Sequence, residues 1–100
     1  MDQDIRIIFS DFNGEASRIF FTLFSEFREE ADKIERVSNE NVFHLLKAKY
    51  ISTLKHRLEH RASLLIEQCN TADSQGRLRI GFAGQISYYL KEFMMKSGTL

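Results

Sequence analysis

One hundred residues, 43% of them apolar and 28% charged, can bury a core and are too apolar to remain disordered. A lone cysteine, Cys69, excludes an internal disulfide and a thiolate-rich zinc site, while the absence of proline leaves long helices unbroken. The formal charge of zero is far from the strongly basic balance of a dedicated nucleic-acid binder.

The neutral total hides an asymmetry. Residues 1–40 carry ten acids against five bases, and residues 41–100 carry four acids against nine bases. Opposite halves of this kind attract each other inside a fold, and they also leave a basic face for an acidic partner. The acidic start, Met1-Asp2-Gln3-Asp4, lacks the basic and apolar regions of a secretory signal. The apolar runs Ile7-Ile8-Phe9 and Ile19-Phe20-Phe21 are too short to span a bilayer. The expectation is one cytoplasmic domain over residues 1–100, with no membrane partner.

Residues 4–12 read equally well as a short helix, on Ile5, Ile8, Phe9 and Phe12, or as a strand, on the alternation of Ile5, Ile7 and Phe9. From Glu15 onward, Ala16, Phe20, Leu23, Phe24, Phe27, Ala31 and Ile34 recur at spacings of three and four. They fall in a stripe about 80° wide, which predicts an amphipathic helix from Gly14 to Val37. Asn13 is its expected N-cap, and Glu29 with Lys33 and Asp32 with Arg36 are expected i,i+4 pairs.

Ser38-Asn39-Glu40-Asn41 supplies cap formers for a second helix over 40–69, seamed by Phe43, Leu46, Tyr50, Leu54, Leu58, Ala62, Leu65 and Cys69. Asn70 is the candidate left-handed terminator. Such a helix is roughly 45 Å long, more than the roughly 35 Å breadth of a compact domain of this size. The fold is therefore expected to be elongated, or part of that stripe to be covered by another molecule. Thr71 to Gly76 reads as a loop, and Leu78, Phe82, Ile86, Tyr89 and Phe93 predict a third helix to about Lys96, ended by Ser97-Gly98. Leu78, Ile80 and Phe82 also alternate, so a β-ribbon pairing them with Ile5, Ile7 and Phe9 competes, but the helical repeat continues through Phe93 and is preferred. The fold class is all-α, an elongated antiparallel three-helix bundle with residues 4–12 adding a short helix or strand.

His56-Arg57-Leu58-Glu59-His60 matches the formal H-x-x-E-H pattern of inverzincin metallopeptidases, with both histidines on one helical face. The phase of the helix places that face opposite the apolar seam, and a bundle of this size leaves no cleft or third ligand. His44 is expected at the edge of the seam, partly buried, and Cys69 on it as an inert thiol. Glu29 and Glu30 are expected on the solvated face. No glycine loop fits a phosphate. No catalytic residue, cofactor or metal is expected, and the protein reads as a non-enzyme.

Two binding readings remain. Phe21, Ile19, Tyr88, Leu90, Met94 and Met95 lie outside the helical seams, and aromatic and Met side chains of that kind are enriched at protein interfaces. They predict a small interaction module, homodimeric, that acts as adaptor or regulator by binding a partner protein. The alternative is a nucleic-acid-associated regulator using Lys47, Lys49, Lys55, Arg57 and Arg61.

Overall fold

A computed structural model of the chain describes residues 4–35 and 38–98. Among these residues there are three helices, α1 (Ile5–Asp32), α2 (Glu40–Glu67) and α3 (Ala72–Ser97), and no strand. All three pack on one another around a shared apolar core, as an elongated bundle measuring 57 × 18 × 17 Å. Its radius of gyration, 16.1 Å, exceeds the roughly 13 Å of a compact domain of this length.

α1 starts nine residues earlier than its sequence signals suggest. Asp4 is the N-cap: its carboxylate accepts the backbone N–H of Arg6 at 2.9 Å and a guanidinium N–H of Arg6 at 3.1 Å. Asn13 and Gly14 therefore stand inside the helix rather than at its start. Residues 5–12 form the first two turns of α1, and neither a separate element nor a ribbon exists there. The two candidate ribbon segments do meet, but as helices: the Phe9 ring meets Phe82 edge-on at 5.4 Å. Ile8 and Phe12 extend the buried stripe of Ala16, Phe20, Leu23, Phe27 and Ala31.

The C-terminal end of α1 comes earlier than expected, at Asp32, and Lys33 is already the C-cap. The Glu29–Lys33 pair accordingly does not close. Arg36 of the other expected pair, and Val37, lie outside the described residues. α2 begins at Glu40 as predicted, behind Asn39, whose side chain makes no capping hydrogen bond. It ends at Glu67, and no described residue adopts a positive φ, so Asn70 is not a left-handed terminator.

The predicted loop 71–76 is instead the beginning of α3. Thr71 caps it by accepting the N–H of Ser74 at 3.2 Å, and Asp73 in the first turn suits the positive end of the helix. Gln75 reaches back from that turn, donating to the carbonyls of Cys69 at 3.0 Å and Ile66 at 3.4 Å. It thus satisfies acceptors that the end of α2 leaves without intrahelical partners.

Short connections make successive helices antiparallel, so α1 and α3 run parallel. Phe12 meets Phe82 near one end of the rod, and Phe24 and Phe27 meet Phe93 towards the other. Because the three helices have 28, 28 and 26 residues, α2 is not over-long for its neighbours.

Candidate functional site

The three seams of the bundle are closed by different chemistry, and this decides which surface is left open. Between α1 and α2 the Arg61 guanidinium binds Glu15 through both carboxylate oxygens, Nε to Oε2 and Nη2 to Oε1, the latter at 3.0 Å. Further along, the Tyr50 hydroxyl donates to Glu30 at 3.0 Å. Burial, the Glu30 contact and the nearby charges of Glu26 and Glu29 push the Tyr50 phenol up to about 12. Glu30, expected to be free on the solvated face, is tied to Tyr50 because this buried tyrosine reaches the edge of α1.

Between α1 and α3 the Tyr89 hydroxyl lies 2.6 Å from Asn13 Oδ1 and 3.2 Å from its carbonyl, and Gln85 donates to the Phe9 carbonyl at 3.2 Å. Burial raises the Tyr89 pKa, reinforced by the neighbouring Tyr88. Gly81 belongs to the same seam. A Cβ there would sit 2.3 Å from Phe9 Cζ, so the missing side chain is what admits the ring.

Outside this seam, Phe21 and Tyr88 flank a shallow cleft of about 150 Å³ with Ser17, Phe20, Tyr89, Glu92 and Lys96. Phe21 is 58% exposed and Tyr88 57%. The Lys96 ammonium stands 5.4 Å from the Phe20 ring centre and 5.7 Å from that of Phe21, within cation–π range. Met94 and Met95 are also exposed near the end of α3; as consecutive helical residues they project about 100° apart.

The other two candidate partner-binding residues are placed differently. Ile19 and Leu90 are half-buried against the core, because each helix here has neighbours on two flanks and its buried arc is wider than one stripe. Leu90 also lines the cleft between α2 and α3. Exposed apolar side chains outside the expected partner-binding set include Ile7, Val42, Leu45 and Ile80.

The five bases of the alternative reading do not converge. Arg61 is engaged by Glu15, and Lys47 is half-buried. Lys49 stands 5.9 Å from the ring centre of Tyr50, while Lys55 and Arg57 are exposed on other parts of α2. His56 and His60 are exposed, and among the described residues no three His, Cys, Asp or Glu side chains are grouped to hold a metal. His44 is exposed rather than at a buried edge, 3.5 Å from Glu40 one turn earlier. Cys69 is half-buried, packed against the core.

No described helix is long and apolar enough to cross a membrane. Comparisons with protein-family models, curated proteins and solved structures gave no match.

The contacts invisible to sequence reasoning are Arg61–Glu15, Tyr50–Glu30 and Tyr89–Asn13. They join residues 20 to 76 positions apart, and only the register between helices brings them together. Gly81 alone left a trace, as a glycine inside an otherwise unbroken helical repeat.

Proposed function

We propose that this chain is a small, non-enzymatic interaction module, homodimeric, that acts as adaptor or regulator in the cytoplasm by binding a partner protein across its α1/α3 face. The observation that carries the reading is the pair Phe21 and Tyr88, each more than half exposed on opposite sides of one cleft. Two aromatic rings held on rigid helices offer contact area at little entropic cost to a partner. Lys96, close to the Phe21 ring, and Glu92 in the same lining supply polar orientation at the rim. The surplus of apolar residues in the sequence supports the same conclusion. The supposed excess length of α2 does not, since its neighbours match it.

The test is a pull-down from a lysate of the source cells with tagged wild type and with the Phe21→Ser/Tyr88→Ala double variant, each with and without nuclease. A protein partner that survives nuclease and is lost from a normally helical double variant is the expected result. A partner retained by the double variant removes the α1/α3 face from consideration.

A second reading rests on Lys49, Lys55 and Arg57, which are exposed and make no ion pair among the described residues. It predicts nucleic acid in the captured material and affinity that falls steeply with salt. Arg61 takes little part in this reading, because Glu15 already neutralises it.

A further inference from the structure

The α2/α3 seam differs from the other two. Along its length no side-chain hydrogen bond or ion pair between described residues crosses from α2 to α3, apart from the Gln75 contacts at its end. In their place runs a cleft of about 470 Å³, floored by Ala62, Ile66, Phe82, Ile86 and Leu90. Ser63, Ala83 and Ser87 keep its walls low enough for another helix to approach closely. Lys55, Glu59 and Arg79 stand in the walls, and none of them is ion-paired among the described residues.

The order of these charges identifies what fits. Lys55 precedes Glu59 by four residues on α2, the less favourable order for a pair within one helix. When two copies of α2 pack antiparallel about a two-fold axis between these positions, Lys55 of each meets Glu59 of the other. The same axis, passing between Ile86 and Leu90 on α3, brings Ile86 of one copy against Leu90 of the second. Both reciprocal pairs share one cleft. We infer that the α2/α3 face is a self-complementary dimer surface, on which two copies join α2 and α3 of each into a central four-helix layer. This names the surface for the homodimer proposed above and rests on that part of the reading.

The available area is sufficient. One side of the rod projects roughly 1,000 Å², given its 57 × 18 Å outline, against the roughly 800 Å² per partner of a standard stable interface. The arrangement is isologous, so it closes at two copies rather than growing into a fibre. It also leaves Phe21 and Tyr88 on a different seam, free for a second protein.

The experiment is sedimentation equilibrium of the full chain across a wide concentration range, with circular dichroism confirming helix content in each variant. The wild type is expected to dimerise, and Ala83→Glu, which plants a carboxylate on the exposed wall of the cleft, to be monomeric. Lys55→Glu and Glu59→Lys are each expected to weaken the dimer about tenfold by opposing like charges, and the double exchange to restore it to within a few-fold. A dimer that Ala83→Glu leaves intact, or one that the double exchange weakens further than either single change, overturns the α2/α3 assignment while the homodimer stands. A chain that is monomeric at every concentration overturns both, and the Phe21 and Tyr88 pull-down then stands alone.

Discussion

The Arg61 guanidinium and the Glu15 carboxylate, 46 positions apart in the chain, meet in a two-point contact that ties the C-terminal third of α2 to the first half of α1. Both side chains are about one-third exposed, so solvent and salt screen the attraction. The paired geometry nevertheless makes it stronger than an ordinary surface pair. A double-mutant cycle with Arg61→Ala and Glu15→Ala should return a coupling of about 1 kcal/mol by urea denaturation, shrinking at high salt. A coupling indistinguishable from zero at low salt would show that the seam is held by its apolar contacts alone.

Tyr50 gives the fold a defined alkaline limit. Its phenol is raised from 10.0 to about 12 by burial and by the acids of α1, Glu30 foremost. Below pH 10 it is protonated in both states and its contribution is complete. Between 10 and about 12 the unfolded chain releases that proton and the folded chain keeps it, so stability falls as pH rises through this window. Tyr50→Phe should remove this tyrosine's part of the alkaline loss and, at neutral pH, cost about 1 kcal/mol for the missing hydrogen bond to Glu30. Ultraviolet titration of the folded protein should show an ionisation phase near 12 that disappears in the same variant.

The contact of Phe9 with Gly81 predicts a change of sign. Replacing a helical glycine by alanine ordinarily stabilises by about 1 kcal/mol. Here the new methyl group would overlap the tip of the Phe9 ring and drive it off Phe82. Gly81→Ala should therefore fail to stabilise the wild type, and lower its thermal midpoint if the ring finds no other rotamer. In a Phe9→Ala background the same change should stabilise by about 1 kcal/mol. Equal stabilisation in both backgrounds would mean that the ring moves aside freely.

These particulars also explain what could be read in advance. The stripe from Ala16 to Ala31 was legible because burial follows a period that the sequence carries within one helix. The start of α1 was not, since Asn13 and Gly14 have the composition of a helix boundary while serving inside one. Asn13 takes the hydroxyl of Tyr89, and a Cβ on Gly14 would meet open space, so no packing contact marks that position. Thr71-Ala72-Asp73-Ser74 misleads in the opposite direction: Thr, Asp and Ser favour turns and helix starts alike, and here they make the cap and first turn of α3. The candidate surface was legible only in part. Phe21 and Tyr88 follow from helix phase, but their placement across one cleft depends on the parallel register of α1 and α3, which local periodicity does not encode.

Phe21 and Phe27, six residues apart on α1, should separate stability from function. Phe27 is fully buried and touches Phe24, Phe43, Tyr50 and Phe93, with ring centres 5.4 to 6.2 Å away. Truncating it leaves a cavity where all three helices meet, and Phe27→Ala should cost about 3–5 kcal/mol, much of the stability of a domain of this size. Phe21 gives up only an edge contact with Phe20 at 5.5 Å and the Lys96 cation. Phe21→Ala should change stability by about 0.5 kcal/mol or less. Urea denaturation of both variants, set beside partner capture, decides the matter. If Phe21→Ala unfolds the chain as Phe27→Ala does, the ring is structural and its exposure has no bearing on binding. If the variant stays folded and loses its partner, the same ring that adds almost nothing to the fold carries the interaction.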